Sequence, residues 1–306
     1  MNNPNFVITG GSGWLGRSVL RRTHAGNMPF NANDLIVAGT SSRFLRLKDL
    51  PGTNVLSFSD LNEKMEIEGV VHLAFLTREK VARMSNDAYV RANRDITDRT
   101  VDLVKKWKPR WVATVSSGAV FSKNTTQYEK EISINPYGFL KIEEEEKLAE
   151  ATSKVGANLV VGRLWGATGI DMYPDSKYAI SDFIIQAIKT GRIEVRSPNQ
   201  VFRRYVDSSE FMEILVRLAN RGDTKVFNSG GPLVEVRDLA GMISNMVPGC
   251  KSVYTNNPNL APDEYFPIDS AYEQFGVQFR MNLSSLEEQI ARTLNAHKAY
   301  IGEIIN

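Results

Sequence analysis

Tyr137 and Lys141 stand four residues apart in the run Tyr137-Gly138-Phe139-Leu140-Lys141, a spacing that puts both side chains on one face of a helix. A free phenol, with a pKa of about 10, is a poor base at neutral pH. A neighbouring ammonium favours the phenolate and lowers that value. Such a tyrosine can pass a proton to or from a hydroxyl or a ketone oxygen. Ser116 and Ser117 follow the apolar run Trp111-Val112-Ala113-Thr114-Val115, and the Ser117 hydroxyl could hydrogen-bond the same oxygen. The Tyr-x-x-x-Lys spacing is common by chance, so its weight depends on what surrounds it.

The N-terminus supplies a partner for this chemistry. Phe6-Val7-Ile8 is a short apolar run that stops at Thr9-Gly10, and Thr9 to Gly16 reads TGGSGWLG. Beyond it Trp14, Leu15, Val19 and Leu20 recur at helical spacing, so the order is strand, glycine turn, helix. Gly10 permits the tight turn, Gly13 lets a pyrophosphate approach the backbone, and Gly16 lets the helix pack closely. The helix N-terminus then offers free N–H groups and a positive dipole end. The segment is expected to bind a dinucleotide, and a nicotinamide cofactor would exchange hydride while Tyr137 exchanges the proton. Its positive ring would also favour the phenolate.

An acidic residue closing the second strand would grip the adenosine ribose and select NAD. The second run, Leu35-Ile36-Val37-Ala38, ends instead in Gly39-Thr40-Ser41-Ser42-Arg43. Hydroxyls and a guanidinium suit a 2′-phosphate, so NADP(H) is favoured over NAD(H), with Arg17 a possible second cation. Arg43 and Arg46 as plain loop charges remain the alternative.

Further short apolar runs lie at Asn54–Phe58, Gly69–Ala74 and Asn158–Gly162, and their lack of alternation suits parallel strands covered on both faces. Long helices are expected from Asn86 to Lys106 and from Tyr137 to Lys154. The acidic block Glu143–Glu146 in the second of them reads as a solvated face. Strands alternating with helices at this spacing predict an α/β doubly wound parallel sheet, a Rossmann domain. That domain is expected over 1–166, rejoined by segments around 200–229, with a smaller mixed α/β substrate domain over 167–306. The latter should hold helices at 180–190, 210–220, 236–246 and 284–297, and strands at 192–195, 202–206 and 226–228.

The chain resembles the extended short-chain dehydrogenase/reductases that act on nucleotide sugars, the NAD-dependent epimerase/dehydratase family. TGGSGWLG, VVHLAF, Asn93, VSSGAVF, YGFLK and FRRYVDSSEF fall in that family's order over nearly the full length. The resemblance implies Ser117, Tyr137 and Lys141 as the catalytic set. It places Asp60 and Leu61 beside adenine, with Leu73, Ala74 and Phe75 along the cofactor channel. Asn93 belongs to the same cofactor-side set, Arg203 would hold a substrate diphosphate, and His72 would pack. It also implies a homodimer through the two long helices.

Three departures narrow the chemistry. Members that dehydrate sugars usually carry an acidic pair after the catalytic Ser or Thr, where this chain has Gly118 and Ala119. Multi-centre epimerase–reductases need an added Cys and His, and Ala119 takes the Cys-like position. The Asn common after the last strand of the domain is Gly166. What remains is NADPH-dependent reduction of a keto group, at C4, on a nucleoside-diphosphate sugar. The alternative is a 4-epimerase holding NAD(P), and a lesser one is a cofactor-binding sensor without turnover.

Composition fits a globular protein: 306 residues, 42% hydrophobic and 24% charged, with net charge +2. No concentrated basic footprint marks a nucleic-acid binder. Cys250 alone cannot form an internal disulfide framework or a Cys-based zinc site, and the three histidines are too scattered to suggest a metal. No secretory signal or membrane-spanning run is seen, so a cytoplasmic enzyme without membrane or nucleic-acid partners is expected.

Overall fold

The computed structural model describes residues 5–47, 49–61, 65–77, 84–122, 125–176, 178–254 and 260–305. Two compact units divide the chain: Met1–Leu164 with Met212–Phe227, and Trp165–Phe211 with Asn228–Asn306. The segment that returns to the first unit is thus narrower than the 200–229 read from sequence.

In the first unit β1 (Asn5–Thr9) leads into α1 (Trp14–His24), followed by β2 (Leu35–Gly39), β3 (Arg43–Leu47), β4 (Leu50–Ser57) and β5 (Ile67–His72). Then come α2 (Asn86–Trp107), β6 (Trp111–Ser117), α3 (Pro136–Val155) and β7 (Asn158–Leu164). With β12 (Lys225–Asn228) the strands form one sheet in the order β12-β7-β6-β5-β1-β2-β4-β3. The pairs β7–β6, β6–β5, β5–β1, β1–β2 and β2–β4 are parallel, and β3 pairs β4 antiparallel. This is the doubly wound α/β sheet predicted. Its order turns around at β1, so the switch point lies between β1 and β5, where open α/β sheets bind ligands.

The strands alternate between two covered faces. Val7, Val70, Val112 and Val161 share a cluster with Val104 and Trp107 of α2 and with Leu148 and Ala151 of α3. Phe6, with its side chain on the opposite face, stacks on Phe30 at 4.7 Å and on Trp111 at 5.9 Å between ring centroids. Trp107 and Trp111 are both buried and so pack core. Each such side chain contributes roughly 1.5–3 kcal/mol by leaving water. Ser85 caps α2 by accepting from the Ala88 amide, and α2 ends at Lys108 in a left-handed conformation just before Pro109.

The sequence missed the β3–β4 hairpin. Arg43–Leu47 alternates charge with apolar side chains on an edge strand, so only Leu45 is buried and Phe44 is 60% exposed.

The second unit is built of small sheets. β10 (Val201–Arg204) lies between β13 (Leu233–Glu235) and β15 (Asp263–Tyr265), while β8 (Ala167–Thr168) pairs β11 (Val206–Asp207) and β9 (Arg192–Val195) pairs β14 (Lys251–Tyr254). The predicted single strand at 202–206 therefore breaks at Tyr205, whose amide donates to the Pro232 carbonyl between two different sheets. Helices α4 (Ala179–Thr190), α6 (Val236–Asn245), α7 (Tyr272–Gln278) and α8 (Leu286–Ile305) complete it. α5 (Ser208–Arg221) begins in this unit and ends in the first. Among the described residues no helix is long and apolar enough to cross a membrane, and no group of three His, Cys, Asp or Glu could hold a metal.

Candidate active site

The first turn of α3 is fixed by its own cap. Asn135 accepts from the Gly138 amide (3.0 Å) and donates to the Ala119 carbonyl (2.9 Å). Pro136, at the first helical position, needs no N–H partner there. A Cβ on Gly138 would lie 1.9 Å from that same carbonyl, so only glycine lets the helix approach so closely. The helix start that carries Tyr137 is thereby held against the short turn Gly118–Val120 that follows Ser117. Ser117 closes β6, is 8% exposed, and accepts from the Ala119 amide at 3.1 Å. Ser116 is buried with no hydrogen-bond partner for its hydroxyl among the described residues.

Lys141, one turn beyond Tyr137, is buried. Its ammonium donates to the Val115 carbonyl (2.9 Å) and to Glu144 Oε2 (3.0 Å). The Phe75 ring covers it, with Nζ 3.8 Å from the ring centroid, and meets Tyr137 edge-on at 5.7 Å. Thus one helix face and the ends of β5 and β6 bring together Tyr137, Lys141 and Phe75.

Behind them His72 is held neutral. Thr9 Oγ1 already accepts from the Leu73 and Ala74 amides, so its hydrogen goes to His72 Nδ1 at 2.7 Å. That pattern assigns the ring proton to Nε2, which lies 3.9 Å from Glu144 Oε1. Burial pushes His72 down to about 4, against a partial opposing pull from Glu144. At neutral pH the ring therefore carries no charge.

The acidic block is where sequence reading failed. Glu144 is 2% exposed, Glu145 forks Arg163 at 2.6 and 3.0 Å, and Glu143 pairs with Arg94 at 3.0 Å. It is not a solvated face. The signal was present: 141, 144, 148 and 151 step along one helix stripe with Leu148 and Ala151, which puts Glu144 inside. Four like residues in a row concealed that periodicity.

At the other end of the switch point, Gly10 has φ +71°, and a Cβ there would meet the Leu73 and Ala74 backbone at 2.6 Å. Gly13 starts α1 without a side-chain cap, no acid stands in the first turn, and Trp14, Leu15 and Gly16 form that turn. Arg43 donates to Ser41 (3.2 Å) and Ser12 (2.9 Å) and has no carboxylate partner among the described residues. Ser42 donates to Asp60 and accepts from the Ser57 amide, and Leu61 beside them is buried. Leu73, Ala74 and Phe75 run on from β5. Asn93 is buried and clamps both backbone groups of Leu76, so it acts on that loop from behind. An uncapped helix start, a cradle that a Cβ would fill and a forked guanidinium fit a nicotinamide dinucleotide.

A profile described as the NAD dependent epimerase/dehydratase family matches residues 6–230. The chain belongs to that family. UDP-glucuronic acid decarboxylase 5 of Arabidopsis thaliana is 23% identical, covering 97% of this chain and 92% of the relative. Two solved folds are similar at a TM-score of 0.75. UDP-glucose 4-epimerase from Thermotoga maritima, solved with UDP-glucose, is 18% identical and covers 97% of this chain and 99% of that one. The dTDP-glucose 4,6-dehydratase DesIV from Streptomyces venezuelae, with NAD bound, is 16% identical and covers 97% and 98%.

Two of this family member's departures have a structural setting. Gly118 and Ala119 are buried in the turn that carries the α3 cap. At Gly166 a Cβ would lie 2.2 Å from the Arg204 carbonyl, so an asparagine does not fit the chain path here. Arg203, in the second unit, pairs with Asp263 at 3.0 Å and lies over the Tyr265 ring at 5.6 Å.

Proposed function

We propose that the chain is an NADPH-dependent reductase of a keto group, at C4, on a nucleoside-diphosphate sugar. What supports this reading is the buried Lys141 one turn beyond Tyr137, with Ser117 at the end of β6 followed by a turn, Gly118–Ala119, that has no group able to move a second proton. Bound NADPH would supply hydride to the carbonyl carbon. Tyr137 delivers the proton to the carbonyl oxygen, Ser117 orients that oxygen, and Lys141 stabilises the phenolate that remains. Phe75 shields the pair from water. The Arg43 fork is the group suited to a 2′-phosphate, and Arg203 is the cation suited to a substrate diphosphate.

A 4-epimerase is the second reading. Asp60, tied through Ser42 to the same hydroxyl cluster, offers an acceptor for a ribose hydroxyl and so also suits retained NAD. The names of the relatives favour a UDP or dTDP sugar. A homodimer through α2 and α3 and a cytoplasmic location belong to the same proposal.

The test is turnover with stoichiometric NADPH and a panel of nucleoside-diphosphate keto-sugars, hexoses and UDP-glucuronic acid, following nicotinamide absorbance and product mass together. NADPH loss with a product two hydrogens heavier supports the reductase. An isomer of equal mass without net cofactor change establishes the epimerase instead. A product lighter by carbon dioxide would make it a decarboxylase.

A further inference from the structure

Glu144 is a carboxylate sealed inside the first unit. Its Oε2 accepts from Lys141 Nζ at 3.0 Å and its Oε1 from Thr114 Oγ1 at 2.8 Å. Burying a charge is costly unless it is paired and hydrogen-bonded, and here it is both. Stability alone does not account for it, because replacing a buried ion pair with well-packed apolar side chains is often neutral or stabilising. What the pair does is fix a position. Lys141 has one N–H on the Val115 carbonyl and one on Glu144, with its remaining exposure covered by Phe75. Tyr137, Lys141 and Glu144 thus form a line of 137, 141 and 144 along one helix face.

We infer that Glu144 is a positioning residue for the reaction: it holds the Lys141 ammonium in place and offsets its charge at Tyr137. This rests on Tyr137 and Lys141 being the reacting pair. Few other charges reach the site among the described residues. From β5 comes His72, neutral above about pH 4. From β6 come Thr114 and Ser116, and from α2 come Asn93, Thr97 and Thr100, none of them charged. On α3 itself Glu143 is committed to Arg94, and Glu145 to Arg163, which also bonds the Tyr128 hydroxyl. Glu144 is therefore the one negative charge inside the site that has the lysine as its partner.

Seven residues along a helix span about 10 Å. A unit charge at that distance, in a protein site of effective dielectric about 20, displaces an ionisation by about one pH unit. The experiment is a pH titration of tyrosinate absorbance in the full chain with NADP+ present. The matching Tyr137→Phe curve is subtracted so that only Tyr137 is seen. In Glu144→Gln its midpoint is expected about one unit lower than in the parent, and in Glu144→Asp, which keeps the charge, near the parent value. Should the glutamine variant unfold, Glu144→Met, of similar length and uncharged, carries the same expectation. Coincident midpoints in parent and neutral variant, or a midpoint that rises, overturn the inference. Failure of the functional proposal looks different: Tyr137→Phe would then keep full turnover, whatever Glu144 does to the titration.

Discussion

Gly138→Ala is the sharpest probe of how this site is built. In most helices the exchange stabilises, by about 1 kcal/mol, because alanine is the better helix former. Here the new Cβ would stand 1.9 Å from the Ala119 carbonyl and 2.5 Å from Asn135 Nδ2, where ordinary contact begins at 3.4 Å. The start of α3 must therefore retreat by about 1.5 Å, the difference between 3.4 and 1.9 Å. Overpacking of this kind costs roughly 1–3 kcal/mol, and the displaced Asn135–Ala119 hydrogen bond about 1 kcal/mol more. The clash outweighs the propensity gain, leaving a net loss of about 1–3 kcal/mol. At roughly 2–4 °C per kcal/mol for a unit of this size, the melting temperature should fall by about 2–12 °C. Tyr137 moves with the helix, and a misplacement of about 1 Å can lower kcat about a hundredfold. The control is Gly241→Ala within α6, where a Cβ meets nothing within 4 Å. That variant should gain the propensity term and keep its turnover. If thermal denaturation and turnover show Gly138→Ala behaving like Gly241→Ala, the account of the α3 start is wrong.

Arg43→Ala should weaken NADPH about 10- to 100-fold while leaving NADH within about threefold, since a charge-assisted bond to a phosphate is worth about 1.5–3 kcal/mol; fluorescence titration of both cofactors checks it. Burial holds His72 and His297 at about 4 in the folded chain against the ordinary 6.5. The unfolded chain therefore binds more protons between these values, and stability should fall as pH drops from about 6.5 to 4, by up to about 3 kcal/mol per histidine. Urea unfolding of the parent and of His297→Gln across that window should show the smaller slope in the variant. The proposed dimer face carries Arg94–Glu143 and Asp98–Lys147 pairs at 3.0 and 2.6 Å, so its association should depend on salt. A monomer mass by light scattering at both low and high salt removes the dimer.

How much was legible in the sequence followed the range of the interactions. The glycine turn, Ser117, and the Tyr137–Lys141 spacing are short-range patterns, and the long helices carry clear apolar stripes, so these could be read directly. β3 could not, because Arg43, Phe44 and Arg46 on an edge strand give it little burial, and its pairing with β4 depends on a turn. The break at Tyr205 depends on partners distant in sequence, at Pro232 and in β8. Glu144 was misread for another reason. Composition was weighed before periodicity, and charge was taken to mean exposure, although its place between Lys141 and Leu148 marked it as interior.

The strand order has a consequence for how the chain is made. β12 lies beside β7 in the sheet, yet residues 165–211 come between β7 and the returning segment 212–227. During synthesis the first 164 residues therefore emerge with β7 as an open edge, and β12 arrives only after the intervening residues have been translated. Arg22, whose partner Glu213 sits at 3.0 Å, and Arg110, bonded to Asn220 at 2.9 Å, wait for the same segment. At about 5–20 residues per second the edge stays open for several seconds, an interval in which a nascent chain is open to pairing with a neighbour on the same polysome. A fragment cut at residue 166 would keep that exposed edge permanently and should be prone to aggregate.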